Sequence, residues 1–212
     1  MRIVVGSGSS RDLKQAELDR HVEILAEFIG RIEARGDEPR SLTMILRSAS
    51  SSPAQALIAR ARDLERAHIV AKVVVTKLDP EDDLRRFYAC LSELSPLAPA
   101  KELIRWARNP RLLDAHEQVT CGASLCWSGD CMRRDADKRN ALSLFEDEAS
   151  GMVRLGQLAF EALWSASTAI AERRLIGPAS PKPSGAYERD AENVANVSAL
   201  RPSLQGWPLL RH

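Results

Sequence analysis

The sequence predicts an α/β fold: a layered sheet with at least three parallel strands plus a fourth strand, helices on both faces and a long C-terminal helix. Three observations predict it. Short apolar runs alternate with stretches of helical period through residues 1–100. The segments between those runs are too long for hairpins, so neighbouring strands run parallel through right-handed crossovers. The apolar positions after Leu142 then keep a helical spacing as far as Ile170.

Taken in order, Arg2–Val5 is a short strand that ends in Gly6-Ser7-Gly8-Ser9-Ser10. Leu13, Leu18, Val22, Leu25, Ile29 and Ile32 follow at helical spacing, and Gly36 and Pro39 close that helix. Leu42–Leu46 is the second strand, and Ser52-Pro53 opens a second helix with Ser as N-cap and Pro in its first turn. Ile69–Leu78 is a strand interrupted only by Lys72, as expected in the middle of a sheet. Asp79-Pro80-Glu81-Asp82-Asp83 starts a helix that runs to about Leu94, its acids matched to the positive helix end. A further helical piece is expected over Lys101–Ala107, and Asn109-Pro110 marks a turn.

From about Lys138 to Arg174 the pattern is helical, and one uninterrupted helix would span roughly 50 Å. That is too long for a domain of this size. A break near Ser150-Gly151 is expected, or a projecting helix that pairs with another chain. Gly177-Pro178 stops the element. Residues 1–176 therefore read as a single α/β domain including the long helix. Residues 177–212, rich in Pro, Ser and Ala, read as a loosely ordered tail.

The 212 residues carry a net charge of +1, so no global basic field draws nucleic acid or an anionic membrane, and neither is an expected partner. No apolar run reaches the roughly 20 residues of a bilayer span. The start lacks the apolar core of a signal peptide. Four cysteines are too few for a disulfide scaffold in a chain this long. A reduced, cytoplasmic protein is the expectation.

The most unusual stretch is DAHEQVTCGASLCWSGDCMRR, residues 114–134. His116, Cys121, Cys126 and Cys131 recur at an interval of five. Zinc ligand pairs sit two to four residues apart, and in a strand an odd interval sends neighbours to opposite faces. No metal and no cofactor is therefore expected. Cys121 and Cys126 read as small core residues. Cys131, close to Arg133 and Arg134, is the one thiol placed to be reactive, but no Cys–His–acid set can be assembled. Val119, Cys121, Ala123, Leu125 and Trp127 alternate as one buried face of a strand, with a turn at Ser128-Gly129-Asp130.

This stretch resembles the phospholipase D-like superfamily, which carries H-x-K, an Asp after four intervening residues, and a later Gly-Ser turn. Here His116-Glu117-Gln118 stands at H-x-K, Ala123 at the Asp position, and Ser128-Gly129-Asp130 within a residue of the Gly-Ser position. The preceding order of elements is similar to one half of that fold. The resemblance implies the scaffold. It does not carry over the hydrolytic chemistry, because the phosphate-binding Lys and the acid are replaced by Gln118 and Ala123.

Gly6 and Gly8 fit the start of a dinucleotide fingerprint, but Arg11 stands at its third glycine. A phosphate-like anion remains an expected ligand for two serine-rich loops at one sheet edge, with Ser7, Gly8 and Ser9 from one and Arg47, Ser48 and Ser50 from the other. The leading reading is a non-catalytic interaction or ligand-binding protein, self-associating through the 142–170 helix. The alternative is an enzyme or binder acting on phosphorylated small molecules through His116 and the serine-rich loops.

Overall fold

A computed structural model describes residues 2–3, 10–78, 84–132, 144–147 and 150–176, all within one unit, Met1–Pro178. The architecture is α/β. Eight strands form one mixed sheet: β1 (Arg2–Ile3), β2 (Ser41–Leu46), β3 (Val70–Val75), β4 (Ile104–Trp106), β5 (His116–Cys121), β6 (Leu125–Cys131), β7 (Leu144–Asp147) and β8 (Thr168–Ala169). Their order is β1-β7-β6-β5-β2-β3-β4-β8. The helices are α1 (Ser10–Arg35), α2 (Ser52–Ala59), α3 (Ala61–Arg66), α4 (Leu84–Leu94), α5 (Ala100–Leu103), α6 (Ser150–Ala166) and α7 (Glu172–Leu175), with a 3₁₀ turn at Pro110–Asp114.

The three parallel strands are β2, β3 and β4. The expectation had Arg2–Val5 as the first of them. Instead Arg2–Ile3 lies at the far edge, antiparallel to β7. The third parallel strand comes from Ile104–Trp106, where the sequence pattern predicts helix. Only α5 forms there, and a three-residue strand is too short to establish an alternating pattern. The fourth principal strand, β5, runs antiparallel to β2.

The long helix also differs from its sequence reading. Leu144–Asp147 is a strand, and the helix begins at Ser150, at the expected break. The Asp79–Asp83 helix start, the Gly6–Ser9 loop and the tail 177–212 lie outside the described residues.

Alternate residues on each strand face opposite sides of the sheet. Leu42, Met44, Leu46, Val73, Val75, Val119, Cys121, Leu125 and Trp127 join the large core with α1, α2, α3, α4 and α7. Ile45 and Val74 face the other way, into a small core with Phe160 and Leu163 of α6, Ala107 and Met132. α1 docks through Ile24, Leu25, Phe28, Ile29 and Ile32, a three-to-four spacing that makes one helical stripe. It ends at Gly36, whose φ of 66° is the left-handed conformation that glycine adopts without Cβ strain.

β5 and β6 form a hairpin whose turn is Gly122-Ala123-Ser124, earlier than the Ser128–Asp130 turn the pattern predicts. Gly122 has φ 55°, and a Cβ there would meet the Pro39 carbonyl oxygen at 2.9 Å. Glu38 closes the turn, its carboxylate accepting from Ala123 N–H and Ser124 Oγ, both at 2.9 Å. Ser128-Gly129-Asp130 continues β6 instead.

Candidate functional site

The hairpin sends its chemistry to both faces. His116, Gln118 and Thr120 face α6, while Glu117, Val119 and Cys121 face α1. Between the hairpin and α6 lies a cleft of about 320 Å³. Ile45, Ala115, His116, Gln118, Cys126 and Ser128 line its sheet side, and Met152, Leu155, Gly156, Ala159 and Leu163 of α6 line the other. An apolar wall with a few polar groups is the usual make-up of a small-molecule site.

Gly156 lets the helix come this close. A methyl group there would run into Gln118 Nε2 and would lie 2.9 Å from Thr120 Oγ1. Gln118 is itself held, donating from Nε2 to Thr120 Oγ1 at 2.7 Å, and Thr120 Oγ1 lies 3.8 Å from Cys126 Sγ.

His116 is exposed at the cleft, and its Nδ1 lies 2.7 Å from the Gly129 carbonyl oxygen. A carbonyl only accepts, so Nδ1 carries the hydrogen. In the neutral ring Nε2 then presents a lone pair, able to accept a hydrogen bond, take a proton or act as a nucleophile. Gly129 is placed by Trp127, whose ring a Cβ at that position would strike.

On the opposite face, Glu117 is buried and accepts from the Arg47 backbone N–H at 2.8 Å. Burial pushes its carboxyl up to about 7, with Glu17 reinforcing the shift and the Arg47 N–H opposing it. Burial also raises Glu17, against the Ser52 hydroxyl, which donates to Glu17 at 3.2 Å. Beside them His21 packs edge-on to Trp127, with ring centroids 4.3 Å apart. Its Nδ1 lies 2.7 Å from the Glu17 carbonyl oxygen, and burial lowers the ring to about 4.

The expected site residues are therefore not all gathered in one place. The cleft lining includes His116 but none of Arg47, Ser48 and Ser50. Arg47 uses Nη1 to reach the Met132 carbonyl oxygen at 3.1 Å. Ser48 Oγ and Ser50 Oγ bond each other at 2.8 Å, and Ser51 Oγ donates to Ser48 O at 2.9 Å. This loop adjoins Glu17 and Glu117, which offer an incoming anion no positive charge. Ser7, Gly8 and Ser9 lie outside the described residues.

None of the four cysteines is in a disulfide, and Cys131 Sγ donates to the Asp114 carbonyl oxygen at 3.4 Å. Among the described residues, no three His, Cys, Asp or Glu side chains converge as metal ligands. Among them, too, no helix is long and apolar enough to cross a membrane. Sequence reasoning missed Glu17, His21 and Glu117, since only the fold buries them together. It also missed the contribution of α6 to the cleft, whose one local sign is the glycine at 156. No family model matches the sequence, and no curated protein matches it.

Proposed function

We propose that this chain is a non-catalytic binding protein on a phospholipase D-like scaffold, holding a small ligand in the His116 cleft and self-associating through α6. The observation that carries the binding reading is the cleft itself, where His116, Gln118 and Ser128 stand opposite an apolar wall of α6. The ligand it suits has an apolar body and one polar or anionic group. The body lies against Met152 and Ala159, the polar group meets His116, and Leu155 stands at the rim between the cleft and the outer side of α6.

Self-association is supported by the outer side of α6. Gly151, Leu155, Leu158, Ala162 and Ser165 are all exposed and follow one another at intervals of four and three, the spacing of a helix–helix seam. Leu155 and Leu158 are 61% and 55% exposed and neighbour each other at an i,i+3 spacing. Arg154 and Glu161 flank the seam one heptad apart, so an antiparallel copy brings each near the other's partner.

A second reading, an enzyme or binder acting on phosphorylated small molecules, is favoured by the Nδ1–H bond of His116, which leaves Nε2 open for a phosphoryl group. Gln118 and Ala123 supply neither a phosphate-binding charge nor an acid. A thermal-shift titration with phosphate, sulfate, nucleotides and phospho-sugars tests both readings, using wild type and His116→Ala. A ligand at 100 times its Kd stabilises by about 2.7 kcal/mol. A shift present in wild type and lost in the variant supports binding at the cleft, and phosphate release in the same samples decides for the enzyme. No shift with any of these compounds would remove the phosphorylated-ligand reading.

A further inference from the structure

At the other end of the α6 face, two cations meet on one indole ring. Arg105 Cζ lies 4.6 Å from the centroid of Trp164, and Lys72 Nζ lies 5.8 Å from the same centroid. The strand register explains the meeting. Arg105 pairs with Val74 across β3 and β4, and Lys72 precedes Val74 by two residues, so all three share one face of the sheet. On the opposite face, Arg108 stands 5.8 Å over Trp106, which packs against the large core.

Ion pairs between described side chains include Arg31–Glu27, Arg60–Asp63 and Arg66–Asp63, none of them here. Lys72, Arg105 and Arg108 have no carboxylate partner among the described residues. Glu161, one turn before Trp164, and Glu102 are the nearest acids in sequence, and neither pairs with them. From residue 101 to 111 the chain carries Lys101, Arg105, Arg108 and Arg111 against the single acid Glu102. A chain with net charge +1 thus carries a locally basic segment here.

Arg105 is also fixed in place. Its Nε donates to the Lys101 carbonyl oxygen and its Nη1 to the Trp164 carbonyl oxygen, both at 3.1 Å. Neither acceptor neutralises the guanidinium. The remaining N–H groups form part of the planar fork that suits an oxyanion. Two like charges drawn to one ring repel each other, and an oxyanion between them relieves that repulsion.

The form of the anion follows from two further features. Trp164 is stacked on Phe160, with centroids 5.5 Å apart and planes 27° apart, and Arg105 stands over its ring as well. That indole has little surface left for a nucleic-acid base, which weakens a single-stranded nucleic acid as the occupant. The adjoining strand β8 ends the sheet order, and both its residues are exposed. Ala169, opposite Arg105, is small and exposed, so its own side chain does not screen the guanidinium from that edge. We propose that this corner, formed by Lys72, Arg105 and Trp164 beside the β8 edge, binds an extended, carboxylate-rich peptide segment of a partner protein. It shares no lining residue with the His116 cleft and stands independently of the proposed cleft function.

The test is fluorescence anisotropy of a labelled peptide of alternating Glu and Val with the full-length protein. The same peptide with Gln for Glu, a labelled oligothymidylate and competing inorganic phosphate serve as the other arms. The expected result is binding of the Glu peptide that weakens as salt rises. Arg105→Gln should weaken it about tenfold and Lys72→Gln several-fold. Arg66→Gln, on α3, should leave it unchanged. Lys72 is exposed, so its variant keeps the test decisive if Arg105→Gln lowers the thermal transition. Tighter binding of the oligothymidylate than of the peptide overturns the proposal in favour of nucleic acid. Equal affinity in wild type and both corner variants, or no binding of the Glu peptide, overturns it outright.

Discussion

The two faces of the sheet are built from the same strands and differ in almost everything else. The α1 face is sealed by α1, α2, α3, α4 and α7 around Phe28, Leu57, Phe87 and Trp127. Three ionisable side chains, Glu17, His21 and Glu117, are held in or beside that core with their charged forms disfavoured. The α6 face has one principal helix and a small cluster around Ile45, Val74, Phe160 and Leu163. It leaves a cleft, two exposed leucines and a cationic corner. Stability is concentrated where the cover is complete. Open surface is found where one helix must cover a wide sheet.

The largest expected effect tests that contrast directly. Trp127→Ala should cost about 3–5 kcal/mol in urea unfolding, because it empties a fully covered site and removes the support of His21. Phe160→Ala, in the small core, should fall at or below the lower end of that range. Equal losses would mean that the α6 face is packed as tightly as its opposite.

Next comes pH. Glu117 is raised from the ordinary 4.5 to about 7, so the folded state favours its protonated form. Its contribution to stability is complete below pH 4.5 and is lost as pH rises through 7. Glu17 acts in the same sense. His21 is lowered from 6.5 to about 4, so the folded state favours the neutral ring. Its contribution is complete above pH 6.5 and is lost as pH falls through 4. The His21 slope opposes those of the two carboxyls between those limits, so the wild type should change less there than a variant lacking either side. Glu117→Gln should leave stability climbing from pH 4 to 6.5, by on the order of 3 kcal/mol. His21→Phe should leave it falling from pH 4.5 to 7 by a similar amount. Urea unfolding at a series of pH values checks both, and parallel curves for all three proteins would refute the opposition.

Gly156→Ala should cost about 1–3 kcal/mol by pressing α6 against Gln118 and Thr120, with a corresponding fall in the midpoint of thermal unfolding. The smallest effect on stability should come from Leu158→Lys, within about 0.5 kcal/mol for an exposed position. It should nevertheless abolish self-association in sedimentation velocity. A dimer that survives this change would place the interface elsewhere.

The hairpin shows why only part of this was legible in the sequence. Val119, Cys121, Leu125 and Trp127 were readable as one buried face, and they are buried on the same side. The turn between them was not readable there. Cys121 and Leu125 pair across the hairpin and lie four residues apart, an even number, so the alternation passes through the turn with its phase unchanged. The position of the turn was decided by Gly122 at positive φ and by Glu38, far off in sequence.

By itself, the sequence determined the α/β class, the parallel strands at Leu42–Leu46 and Val70–Val75, and the break at Ser150, because each is written in local period and in stop signals. Tertiary structure alone decided that Ile104–Trp106 completes the parallel set, that Arg2–Ile3 crosses to the far edge, and that Glu117 meets Glu17 while His116 meets α6. It also brought Lys72 and Arg105 onto one indole ring. These are contacts between residues far apart in the chain. Strand register and the close approach of α6 at Gly156 set them, and neither leaves a periodic trace in the sequence.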